Sequence, residues 1–125
     1  MRGRIVVAAG IVMVLSSAAH SLMGWPAMRA GLEKAAAPEE LVGGLAAGWF
    51  FGGMAMLAFG VINVWFGLRL ARGDRSGVPA IAVISTAYIV FGLCGYVLRD
   101  FNSHFLFFML TGVLAGAPLI ALKRQ

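Results

Sequence analysis

The stretch from Leu41 to Arg72, LVGGLAAGWFFGGMAMLAFGVINVWFGLRLAR, constrains the fold more than any other part of the chain. Between Leu41 and Leu68 only Asn63 carries a strongly polar side chain, and about 20 apolar residues suffice for a helix to cross the ~30 Å hydrocarbon core of a bilayer. No soluble core helix is apolar for so long, so the run reads as a membrane span with length to spare. Its glycines fall into two sets: Gly44, Gly48 and Gly52 recur every four residues, and Gly53, Gly60 and Gly67 every seven. At 3.6 residues per turn these form two smooth strips roughly 120° apart. Two strips predict two close helical neighbours, within the chain or in another copy.

The remaining apolar runs complete the pattern. Ile5 to Trp25 is one span long and is interrupted only by Ser16, Ser17, His20 and Ser21. The MRGR head and SSAA stretch mimic a cleavable signal peptide, but Gly3, Gly10, Ser17 and Gly24 repeat at seven, a seam that a discarded segment has no use for. Residues 80–98 make a third run, with Ser85, Thr86, Tyr88 and Tyr96 as its polar content and Gly92 and Gly95 as small contact positions. Phe105 to Leu122 makes a fourth, with Gly112 and Gly116 at GxxxG spacing and Pro118 in its last turns. Asn102 or Ser103 can cap that helix. Between the first two spans lies PAMRAGLEKAAAPEE, in which Met28, Leu32, Ala35 and Ala36 make one apolar face and Arg29, Glu33 and Lys34 a wet one. This predicts a short interfacial helix opening on Pro26, followed by a new start at Pro38 with Glu39 and Glu40 in the first turn, where the helix dipole favours acids.

Composition agrees: 61% apolar and 12% charged residues, with a mean hydropathy of +0.90, lie outside the soluble range. The net charge of +5 does not imply nucleic acid, because the basic residues cluster at the ends of apolar runs, where they set topology. With the N-terminus inside the cell, Arg2, Arg4, Arg69, Arg72, Arg75, Lys123 and Arg124 are cytoplasmic and Arg29, Lys34 and Arg99 external, a bias of 7 to 3. The fold expected is all-α: a multi-pass four-helix up-down bundle in a bacterial-type inner membrane, N-in and C-in, forming one domain over residues 1–125. Its spans lie at about 5–25, 41–71, 79–98 and 104–122. Trp25 and Trp49 then belong to the outer aromatic belt and Trp65 to the inner one.

Several chemistries are excluded. None of the five acidic residues falls within a span, so proton exchange through a buried carboxylate has no residue to run on. The single Cys94 permits neither CxxC redox chemistry nor an internal disulfide. The polar and aromatic residues at the outer ends are His20, His104, Trp25, Trp49, Tyr96, Arg99, Asp100 and Asn102. They can line one outer-leaflet polar pocket. Paired histidines on separate helices are the minimal set for axial haem ligation or part of a metal site, and a polar pocket ringed by aromatics suits a quinone headgroup. Asn63, Tyr88 and Ser85 read as hydrogen-bonding contacts between helices, or as the lining of a small transporter or channel. The leading expectation is a non-enzymatic accessory subunit or homo-oligomer surrounded by membrane lipid. It would associate through Gly44, Gly48, Gly52, Gly53, Gly60, Gly112 and Gly116.

Overall fold

The computed structural model describes residues 1–120, and within them the chain is helical apart from short connections. The elements are α1 (Arg2–Ala19), a π-helical turn (His20–Gly24), α2 (Trp25–Lys34), α3 (Glu39–Ala71), α4 (Val78–Leu98) and α5 (His104–Ile120). Three continuous helical stretches, Arg2–Lys34, Glu39–Ala71 and Val78–Leu98, are long and apolar enough to cross a membrane. The fourth, α5, is apolar but has only 17 residues; Ala121 and Leu122, expected in its span, lie outside the described residues.

The expected interfacial helix takes a different form. Residues 25–34 are helical, but they continue α1 without a break, giving one helix of 33 residues. Pro26 has no amide to give the preceding turn, and in a regular α-helix its ring would press on the carbonyl four residues back. The wider π turn at His20–Gly24 absorbs that defect instead of ending the helix. Arg29 and Glu33 still face water, bridged at 2.8 Å. The helix ends where Ala36 takes a positive φ of 50°, and Pro38 caps the start of α3 with Glu39 and Glu40 in its first turn.

Of the two glycine strips on α3, one has its neighbour and the other does not. α1 and α3 run antiparallel, and the seven-residue repeat of each meets that of the other. Gly3 lies against Gly67 and Ala71, Gly10 against Gly60 and Val64, and Gly24 against the Trp49 ring. Between them Ser17 Oγ donates to the Gly53 carbonyl at 2.7 Å. A methyl group on Gly60 would sit 2.8 Å from the Gly10 carbonyl oxygen and 2.9 Å from the Val14 amide nitrogen, so only glycine allows this approach. Gly44 and Gly48 have open space where a side chain would be, and Gly52 meets only the His20 ring. Of the two neighbours expected, within the chain or in another copy, the described residues supply the one at the seven-residue strip, and at the four-residue strip only the His20 ring against Gly52.

α4 and α5 form the second antiparallel pair, equally close. Gly92 lies on the Met109 backbone, Gly95 on the Phe105 ring, and Gly112 on Ser85 and Ile89. Ser85 Oγ donates to the Gly112 carbonyl at 2.7 Å. The two pairs meet mainly through α1 and α5, around a core of Ala9, Met13, Met56, Ile84, Tyr88, Phe108 and Ala115. A second cluster of Val6, Leu70 and Ile81 closes the end that carries the N-terminus. At that end Arg69 holds Asp74 at 2.6 Å, fixing the turn in which Gly73 adopts a φ of +92°. α3 and α4, by contrast, touch little, and a gap opens between them.

Candidate functional site

The gap is a cavity of about 250 Å³ lined by His20, Gly52, Ala55, Met56, Phe59, Ala87, Tyr88, Phe91 and Phe108. Its floor follows from the helical period, since positions 52, 55, 56 and 59 of α3 share one face. Glycine and alanine at 52 and 55 leave the space that larger side chains would fill. Phe59 and Phe108 stand at 6.3 and 6.0 Å from the Tyr88 ring, and Phe91 meets Phe108 edge-on at 5.0 Å. The walls are almost wholly apolar. His20 and Tyr88 are the lining residues that carry polar atoms, and the Tyr88 hydroxyl itself is buried.

His20 is held by a reciprocal clasp. Its ring stacks on the Trp49 indole at 4.3 Å between centroids and 4° between planes. Trp49 Nε1 donates to the His20 backbone carbonyl at 2.8 Å, and His20 Nε2 lies 3.1 Å from the Trp49 carbonyl oxygen. A carbonyl can only accept, so Nε2 is the donor in this bond. Trp25 and Phe50 extend the cluster, Trp25 lying 6.3 Å from Trp49 and 5.9 Å from Phe50.

Tyr88 packs between helices, against Phe59 of α3 and Phe108 of α5, but makes no hydrogen bond of the kind expected from sequence. The residue is 5% exposed and its hydroxyl is buried without a hydrogen-bond partner. Ser85, one turn earlier, does bond across to α5. Asn63 is fully buried and links α3 to α1 through Nδ2, which donates to Met13 Sδ at 3.2 Å, while its Oδ1 has no partner. These two are the unpartnered buried polar side-chain atoms among the described residues, and buried groups of this kind are normally satisfied.

Of the residues expected in an outer pocket, the structure brings His20, Trp25 and Trp49 together. His104 begins α5, is exposed, and meets Phe108 edge-on at 5.7 Å without lining the cavity. Asn102 caps α5, its Oδ1 accepting from the His104 amide at 2.9 Å. Tyr96 packs on Phe101 at 5.3 Å; Arg99 and Asp100 are exposed in the connection, where Asp100 and Phe101 have positive φ. Among the described residues no group of three or more His, Cys, Asp or Glu side chains is placed to hold a metal ion. The cavity walls Gly52, Ala55, Phe59, Ala87, Phe91 and Phe108 were not singled out as a site from sequence. The only hint lay in small residues on the face of α3 toward α4.

Among the described residues, fold and site define a helical bundle with three helices long and apolar enough to cross a membrane and a small aromatic-lined cavity. Comparison with protein-family models, curated proteins and solved structures finds no match for the chain.

Proposed function

We propose that the chain is an integral inner-membrane protein crossing the bilayer four times with both termini cytoplasmic, and that it works by binding a small membrane-soluble molecule in the His20–Tyr88 cavity rather than by catalysis. The observation that carries this reading is the cavity between α3 and α4, almost wholly apolar and lined by the rings of Phe59, Tyr88, Phe91 and Phe108. The topology is supported by the clustering of Met1, Arg2 and Gly3 beside Arg75 at one end and of Trp25 with Trp49 at the other. Native mass spectrometry of the detergent-purified protein is expected to find a small apolar molecule at a fixed ratio, absent from an Ala55→Phe variant in which the cavity is filled. An empty wild-type protein that no membrane-soluble compound stabilises contradicts the reading. For the topology, single cysteines at Glu33, Asp74 and Asp100 in a Cys94→Ala background are expected to react with an impermeant reagent from the outside at 33 and 100 only.

A second reading, assembly with a further copy or a larger complex, is favoured by the open strip at Gly44 and Gly48, which suits a close helix contact in lipid.

A further inference from the structure

The α1–α3 pair carries a groove of about 610 Å³ on its outer surface, within the range of about 300–1,000 Å³ typical of small-molecule sites. Ile11 and Leu15 of α1 line one side and Val61, Trp65 and Leu68 of α3 the other, each about half exposed or more. In a bilayer such a face meets lipid tails. Positions 61, 65, 68 and 72 share one face of α3, so the apolar row ends on Arg72, which also lines the groove. From Val61 to Arg72 is about 16 Å of helix, close to the ~15 Å that one leaflet contributes to a ~30 Å hydrocarbon core.

The charge at that end has no protein counterpart. Arg72 is exposed and makes no ion pair among the described residues. Asp74, the acidic side chain nearest in sequence, is taken by Arg69 and by the Ser76 amide. Arg4, also exposed, falls on the same face of α1 as Ile11 and Leu15. It lies at the same end of the pair as Arg72, because Gly3 packs against Ala71. Side chains on a helix lean toward its N-terminus, which turns Arg72 back toward Leu68 and the groove. Trp65, one of the interfacial aromatics of this end, sets the depth at which headgroups begin.

We infer that the groove holds an anionic phospholipid, one acyl chain lying between Ile11, Leu15, Val61 and Leu68 and the headgroup phosphate on Arg72, with Arg4 beside it. Basic sites of this kind between membrane helices hold anionic headgroups. Free phosphate lacks the chain that the apolar row fits, and a zwitterionic lipid lacks the net charge that the arginines match. The inference rests on the membrane-spanning part of the proposed function and not on the cavity between α3 and α4.

The test is native mass spectrometry of the full chain in detergent with equal amounts of dioleoyl phosphatidylglycerol and dioleoyl phosphatidylcholine, which share chains and phosphate but differ in net charge. Wild type is expected to retain phosphatidylglycerol in preference. Arg72→Gln is expected to lower that preference about fivefold, the effect of one arginine at a membrane surface. Arg75→Gln, outside this groove, is expected to leave it unchanged. Val61→Trp, which fills the groove, is expected to weaken both lipids alike, and Ala55→Phe, which fills the cavity, neither. Equal effects of Arg72→Gln and Arg75→Gln overturn the site and leave only the charge of the whole face. Full displacement of the lipid by inorganic phosphate also overturns it, because the chain then contributes nothing. Loss of both lipids in Ala55→Phe, with Val61→Trp like wild type, overturns the groove while supporting the cavity; an empty cavity beside an occupied groove does the reverse.

Discussion

Trp49 and His20 each bond the other's backbone: the indole N–H donates to the His20 carbonyl at 2.8 Å, while His20 Nε2 lies 3.1 Å from the Trp49 carbonyl oxygen, with the rings stacked between them. The pair ties the π turn to α3 at the cavity rim, where the helix carrying His20 is weakened by Pro26. Trp49→Phe retains a ring but removes the donor, and is expected to cost about 1 kcal/mol. His20→Ala loses the stack and its own bond and is expected to cost about 2–3 kcal/mol. His104→Ala, at an exposed helix start, is expected to stay within about 0.5 kcal/mol. Thermal unfolding in detergent ranks the three; a His104→Ala effect equal to that of His20→Ala contradicts the clasp.

The two glycine strips of α3 make opposite predictions. Gly60→Ala places a methyl against the Gly10 carbonyl and the Val14 amide, both backbone atoms that cannot move aside, and is expected to cost about 1–3 kcal/mol through overpacking. Gly48→Ala meets nothing within 4 Å and is expected to stabilise the monomer by up to about 1 kcal/mol through helix propensity. Gly48→Leu tests the assembly reading: unchanged size and melting in detergent place this strip against lipid, and dissociation of an oligomer assigns it to a second copy.

These strips also mark what the sequence could tell. The repeats at 3, 10, 17 and 24 and at 53, 60 and 67 were legible as a seam because two antiparallel helices with the same period stay in register along their length. The strip at 44, 48 and 52 looked equivalent, since spacing records that a face is smooth but not what stands opposite. The cavity was hidden for a related reason. His20 was legible as a site residue, but sequence grouped it with Arg99 and Asp100 by depth. It shares a cavity with Tyr88 at the gap between α3 and α4, and nothing local dictates that gap. Pro26 read as a helix start because proline favours that position; only the π turn before it shows that the helix runs through.

At the opposite end, Asp74 is held down to about 2 from an ordinary value of 3.8, first by the Ser76 backbone amide at 2.8 Å, then by the Ser76 side chain and by Arg69. A lowered folded-state value means that the ionised carboxylate favours the folded loop. Its contribution is complete above pH 3.8 and is lost as pH falls toward 2. Because the group is exposed, the effect is small and screened by salt. Asp74→Asn is expected to flatten the melting profile between pH 4 and pH 2, and an unchanged pH dependence contradicts the Arg69–Asp74–Ser76 arrangement.

Asn63 gives the sharpest test of how the bundle interior is held. The residue is fully buried, its amide donates only to the Met13 thioether at 3.2 Å, and its carbonyl oxygen has no partner. Sulfur is a weak acceptor, so the one bond gained is small beside the desolvation of the whole amide. Leucine has nearly the shape of asparagine and no polar group to satisfy. Asn63→Leu is therefore expected to leave stability unchanged or to raise it by about 1 kcal/mol, the opposite of what a strong contact between helices predicts. Asn63→Ala, which removes the polar group but leaves a cavity among Met13 and its neighbours, is expected to be less stable than Asn63→Leu. Melting of the two variants in the same detergent decides the matter. A loss of 2 kcal/mol or more in Asn63→Leu would mean that Oδ1 has a partner, a water or a bound ligand, and that the amide is fully satisfied in the membrane.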